Sequence, residues 1–86
     1  MNAKFQDDFL KAYAKLPVEL QEMFDKKYEF MKHDLRYPSL RIKKMKGREG
    51  VWEGSVNMQY RFTFQFVEGG VLFRNIGNHD ETLDNP

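Results

Sequence analysis

The sequence predicts an α+β domain in which two helices lie on one face of an antiparallel sheet, and three observations predict it. Apolar residues recur at helical spacing as far as Leu35, they alternate singly from Leu40 onward, and Pro38 stands where one pattern gives way to the other. Runs of helix followed by runs of strand indicate segregated layers, with the helices gathered on one side of the sheet. A chain of 86 residues is enough for one such domain, spanning 1–86.

The elements follow in order. Phe5, Phe9, Tyr13 and Leu16 recur at intervals of four, four and three, the face of a first helix, and Asp7 and Asp8 lie in its first turn where acids suit the dipole. Pro17 interrupts and opens a second helix, with Glu19 just inside it. Leu20, Met23, Phe24, Tyr28, Met31 and Leu35 make its apolar stripe, and Pro38 ends it. His33 near that end fits a dipole partner. Almost no linker separates the two, so they are expected to pack antiparallel. Four strand-like runs follow. In the first, Leu40 and Ile42 alternate with Arg41 and Lys43; the others are Val51 to Val56, Tyr60 to Val67 and Val71 to Ile76. Gly47 and Gly50 mark one turn, Gly69 and Gly70 another. The tail from Glu81 to Pro86 reads as frayed.

One register can be worked out. If Asn57, Met58 and Gln59 form a three-residue hairpin loop, Val56 pairs with Tyr60, Gly54 with Phe62 and Trp52 with Phe64. That row, continued by Phe66, is the expected core under Phe9, Tyr13, Phe24 and Tyr28. The opposite face then sets Ser55 across from Arg61 and Glu53 across from Thr63, so Glu53 and Arg61 become diagonal neighbours about 7–8 Å apart. Parity counted from the Gly69–Gly70 turn would put His79 on the core side; a bulge or strand end at Gly77 is expected to turn it toward Arg61.

Composition bounds the function. No apolar run approaches the roughly 20 residues of a membrane-spanning helix, and no apolar stretch of the kind expected of a signal peptide follows Met1. With no cysteine, disulfides and thiolate metal sites are excluded, and a cytoplasmic location is the default expectation. The net charge of +1 is unevenly spread: Arg36, Arg41, Lys43, Lys44, Lys46 and Arg48 share a stretch without a single acid. Such a block either concentrates a polyanion or is a solvated strand-and-turn surface.

Ser39, Ser55 and the threonines sit in no nucleophile-elbow frame, His33 and His79 are not at metal-ligand spacing, and no glycine-rich loop opens a helix. No metal or cofactor is expected. RNA cleavage by the substrate's own 2′-hydroxyl asks for less: a base, a cation for the charge on the phosphate, and an acid for the leaving oxygen. Glu53, Arg61 and His79 are the residue types for these roles, although on type alone Arg61 also fits an ordinary surface cation and His79 a ring packed at a sheet edge.

Five segments together carry a resemblance. They are Phe9-Leu10-Lys11-Ala12-Tyr13-Ala14-Lys15-Leu16-Pro17, Pro38-Ser39-Leu40-Arg41-Ile42-Lys43-Lys44-Met45-Lys46-Gly47, Val51-Trp52-Glu53, Tyr60-Arg61-Phe62 and Ile76-Gly77-Asn78-His79-Asp80. In order and spacing the chain resembles the RelE/ParE toxin superfamily along most of its length. The resemblance implies a helical hairpin against a twisted antiparallel sheet of about four strands, and the toxin of a type II toxin–antitoxin pair with a co-expressed antitoxin as partner. DNA would be reached only through that antitoxin. It also implies a metal-independent endoribonuclease, an mRNA interferase acting on the ribosome. A ParE-like gyrase inhibitor without enzymatic activity, and a degenerate member that only binds antitoxin, are the alternatives.

Carried over by position, Arg61 matches the family's strand arginine, implicated in phosphate stabilisation, and His79 the histidine of proton transfer in histidine-using members. Glu53 follows the tryptophan of a common Trp-Glu pair. Lys43, Lys44 and Lys46 match the segment whose lysines contact ribosomal RNA, and Arg41 and Arg48 extend it. Met23, Met31, Met45 and Met58 suggest an adaptable surface for a partner helix. The chain departs from the family at three points: the strand before the first helix is reduced at most to Met1–Lys4, Leu83 replaces an aromatic four residues past His79, and the net charge is low.

Overall fold

A computed structural model describes all 86 residues. The chain runs β1 (Asn2–Phe5), α1 (Asp7–Ala14), α2 (Val18–His33), a 3-10 turn (Pro38–Leu40), β2 (Lys43–Lys44), β3 (Trp52–Ser55), β4 (Tyr60–Val67), β5 (Gly70–Asn78) and α3 (His79–Asp84). The sheet has five strands in the order β1-β5-β4-β3-β2, with β1 parallel to β5 and the other neighbours antiparallel. The fifth strand is the N-terminal one, expected to be nearly absent. It is fully paired, Asn2 with Gly70 through Phe5 with Phe73. Gly70 permits this closeness, since a Cβ there would fall 1.8 Å from the Asn2 carbonyl oxygen.

Phe5 therefore belongs to β1, and α1 begins two residues later with Asp7 and Asp8 in its first turn. Pro17 caps α2, its carbonyl accepting from Leu20 and Gln21. The Tyr13 hydroxyl donates to Asp25 Oδ1 at 2.8 Å and Gln21 Nε2 donates to the Tyr13 carbonyl, tying the helices together. The Tyr13 hydroxyl is held above the usual phenol range by burial and then by Asp25. The second helix stops at His33, before Leu35. Asp34 Oδ1 accepts from the Arg36 amide at 2.8 Å and from Arg36 Nε at 3.1 Å, an alternative to continued helix.

The strand expected at Leu40–Lys43 is a second correction. Pro38 nucleates a 3-10 turn that drops Leu40 into the core, and Arg41 follows in the left-handed conformation at φ 48°, so pairing covers only Lys43 and Lys44. The β3–β4 hairpin has the register expected from the sequence: Trp52 faces Phe64, Gly54 faces Phe62 and Ser55 faces Arg61. Gly54 lets the Phe62 ring lie across it, where a Cβ would come within 2.2 Å.

The core gathers Phe9, Phe24, Met31, Leu40, Val56, Phe62, Phe64, Val71, Phe73 and Ile76. Phe66 continues the same row but remains 46% exposed, against the expectation that it is buried; Trp52 and Phe64 are its ring neighbours, at 5.3 and 5.4 Å. Met31, expected at a partner surface, is in the core.

Candidate nucleic-acid interface

The hairpin register fixes the face of the sheet away from the α1–α2 layer. Arg61 lies between Ser55 on β3 and Gly77 on β5; one row along β4, Thr63 lies between Glu53 and Asn75. The expected bulge in β5 exists but sits upstream of Gly77. Phe64 pairs with Phe73 and Thr63 with Asn75, leaving Arg74 as the extra residue. Its insertion reverses the facing of the later β5 residues. Ile76 enters the core, Gly77 joins the Arg61 row, and His79 pairs by its amide with the Gln59 carbonyl at 2.8 Å. Gly77 has another use: Thr82 of α3 packs over it, and a Cβ would meet the Thr82 hydroxyl at 2.9 Å.

Arg61 is half-buried and anchored through one nitrogen. Its Nη1 donates to the Asn57 carbonyl and, at 3.1 Å, to the Tyr60 carbonyl, while Nε and Nη2 have no protein acceptor. The Asn57 carbonyl also accepts from the Ser55 hydroxyl at 2.7 Å. The Asn57 side chain accepts from the Gln59 and Tyr60 amides, holding the loop that aims Arg61. Glu53 is only 6% exposed, and its ionic partner is Lys43, 3.9 Å away. His79 opens α3 with its side chain about half exposed, and its Nδ1 lies 3.1 Å from Asp80 Oδ1.

Arg41, Lys43, Lys44, Lys46 and Arg48 are all exposed. Arg48 reaches the far end of the chain, donating to the Asp84 carbonyl at 2.8 Å; Asn75 donates likewise to Asn85 and Arg74 to Pro86. The tail expected to fray is thus tied back to the sheet and to the β2–β3 turn.

The structure brings two of the sequence-named residues into one pocket and leaves the others outside it. Arg41 and Arg61 line a concavity of about 270 Å³ together with Lys27, Ser39, Ser55, Asn57 and Met58. Glu53 and His79 do not line it. Lys27, on α2, has no counterpart among the residues the sequence singled out. Its ammonium donates to the Ser39 carbonyl at 2.6 Å, and burial, then the Arg41 guanidinium, hold it below the usual lysine range. Nowhere do three or more His, Asp or Glu side chains gather in a way that could hold a metal ion.

The backbone is similar to solved toxins. RelE in the RelB–RelE antitoxin–toxin complex of Methanococcus jannaschii superposes with a TM-score of 0.74 at 19% identity, covering 96% of this chain and 99% of that one. The chain has the RelE/ParE toxin fold. YafQ of E. coli matches with a TM-score of 0.75 at 10% identity over 93% and 94% of the two chains. YoeB of Staphylococcus aureus, solved as a dimer, matches with a TM-score of 0.68 at 18% identity over 92% and 97%. No family model and no curated protein matches the sequence. No helix is long and apolar enough to cross a membrane.

Proposed function

We propose that this chain is the toxin of a type II toxin–antitoxin pair and a metal-independent endoribonuclease acting on ribosome-bound mRNA. The observation that carries the reading is Arg61: a guanidinium anchored by one nitrogen, with its other donors open, on a sheet face flanked by a basic segment without acids. Hydrogen-bond donors fixed in advance where charge develops supply the largest share of stabilisation in such reactions. The 2′-oxygen attacks the adjacent phosphorus while the bond from phosphorus to the 5′-oxygen breaks, giving a 2′,3′-cyclic phosphate and a 5′-hydroxyl. Arg61 faces the non-bridging oxygens. Glu53 takes the 2′-hydroxyl proton, and His79 returns one to the leaving oxygen. The register supports this division, because Glu53 lies on a strand diagonal from Arg61, about 7–8 Å away, while His79 follows the end of β5 two residues beyond Gly77, the residue across from Arg61. The exposed apolar side chains of Leu10, Val18 and Met23 on the helices suit a cognate antitoxin segment.

Primer extension on mRNA from cells induced to express the chain tests the proposal. Discrete cuts that vanish with Arg61→Ala are expected. Uncut mRNA with altered plasmid supercoiling would overturn the ribonuclease reading in favour of a gyrase target.

A further inference from the structure

We propose that the pocket between α2 and the β3–β4 hairpin is a phosphate subsite, in which Lys27, Arg41 and Arg61 bind a non-reacting phosphate of the RNA next to the one cleaved. The inference rests on the ribonuclease reading for the identity of the strand, while the pocket itself rests on geometry.

Three cations from three separate parts of the chain converge on one concavity of about 270 Å³, and no carboxylate lines it. None of the three takes part in any of the four ion pairs of the structure. Like charges brought together without a counter-charge repel one another, and an anion seated among them removes that repulsion. The donors are arranged to receive one. Lys27 uses one of its three N–H groups on the Ser39 carbonyl, Arg61 keeps Nε and Nη2, and Arg41 makes no side-chain hydrogen bond.

Arg41 supplies a second, independent observation. It is the one residue other than glycine with positive φ, at 48°. That conformation is unfavourable for a side chain with a Cβ, and such strain gathers at functional positions. Here it ends the 3-10 turn and sets Arg41 at the rim of the pocket. Burial, then the Arg41 guanidinium, hold the Lys27 ammonium below the usual lysine range, and an anion seated among the three cations would oppose the second effect.

The size and polarity of the pocket suit a phosphate group. The seven lining residues include only one hydrophobic side chain, Met58, at 82% exposure, so no floor for a nucleobase is present. Glu53 and His79 do not line it, which separates the phosphate held here from the one undergoing reaction. On the ribonuclease reading Arg61 would offer one of its two free donor nitrogens, Nε and Nη2, to each phosphate.

The test is titration of the protein with inorganic phosphate, followed by NMR of the lysine and arginine side chains. Resonances of Lys27, Arg41 and Arg61 should move together, and Lys27→Met should weaken binding by roughly tenfold or more, as loss of a charge-assisted hydrogen bond does. Lys27→Arg should restore most of it. Because Lys27 also tethers α2 to Ser39, Arg41→Asn serves as a second variant; asparagine tolerates the left-handed backbone, and the same loss is expected. In cleavage assays Lys27→Met should raise KM and leave kcat nearly unchanged, the signature of a contact made equally in ground and transition states. Phosphate binding lost in these variants, in a protein that cuts no RNA, would sustain the pocket and overturn the ribonuclease reading. Phosphate shifts spread over Lys43–Arg48 and unaltered by Lys27→Met or Arg41→Asn would overturn the pocket, whether or not the protein cleaves RNA.

Discussion

Truncating Phe73 to alanine should remove most of the stability of the fold. Phe73 is fully buried on β5, and six rings surround it: Phe5 at 5.1 Å, Phe9 and Phe24 at 5.5 Å, Tyr28 and Phe62 at 5.9 Å, and Phe64 at 6.1 Å between centroids. These rings come from β1, α1, α2 and β4, so no single element can shift to fill the space left behind. A Phe→Ala change in a core costs about 3–5 kcal/mol, and a site that resists collapse belongs near the upper end. At ~0.05–0.15 kcal/mol per residue, a chain of 86 residues has roughly 4–13 kcal/mol in total. Phe66→Ala is the internal control. That ring has only two ring neighbours, Trp52 and Phe64, and is 46% exposed, so about half of a normal burial term, roughly 1 kcal/mol, is at stake. Urea unfolding followed by circular dichroism, with m compared across the variants, measures both. A loss below about 2 kcal/mol for Phe73→Ala, or equal losses at the two positions, would refute the assignment of Phe73 as the centre of the core.

Four further outcomes are expected. His79→Ala should abolish RNA cleavage and leave ribosome binding intact; full activity would remove His79 from the mechanism. Replacing Lys44 and Lys46 together with alanine should flatten the salt dependence of RNA binding, by about 0.7 in slope for each phosphate no longer neutralised; an unchanged slope would make that segment solvated surface only. Arg41→Gly should raise stability by up to about 1 kcal/mol by relieving the left-handed backbone, and at the same time weaken RNA binding. A stability loss would show that the side chain holds the turn. By NMR titration Lys27 should lose its proton below the ordinary lysine range, since burial and Arg41 both disfavour its charged form. Seating an anion opposes that effect, so phosphate should move the transition back up; a transition indifferent to phosphate would place the anion elsewhere.

The hairpin is legible residue by residue because two independent constraints agree on it. A three-residue loop fixes the register, and strict alternation from Tyr60 to Phe64 fixes the faces. Phe5 reads as helical in the sequence for a physical reason: its ring lies 5.3 Å from Phe9 and stacks on Phe73, so a strand residue just before a helix reaches the same neighbours as a helical residue one turn earlier. Leu40–Lys43 reads as a strand because alternation is also produced by a 3-10 turn followed by one left-handed residue, with Leu40 inside and Arg41 outside. Phe66 obeys the alternation and yet stays exposed. Alternation assigns a face of the sheet, and only the extent of the helices above it decides whether that face is covered.

The candidate site is legible in its charge and not in its convergence. Arg41 through Arg48 stand out in the sequence because no acid interrupts them. A run of that kind is equally consistent with a solvated surface, and local sequence holds nothing to choose between the two. Lys27 illustrates the difference. In the sequence it is one lysine among the mixed charges of an amphipathic helix, separated from Arg61 by the whole of the basic segment. In the fold it shares a pocket with Arg41 and Arg61, and the acids nearest to it in sequence, Asp25 and Glu29, are absent from the lining. Asp25 accepts from Tyr13 and Glu29 pairs with Lys32, so each is held by other partners. A solvated basic surface interleaves its charges with acids or spreads them apart. Here three cations meet in one concavity while the neighbouring carboxylates are engaged elsewhere, which is the arrangement a phosphate site requires and a merely soluble surface does not.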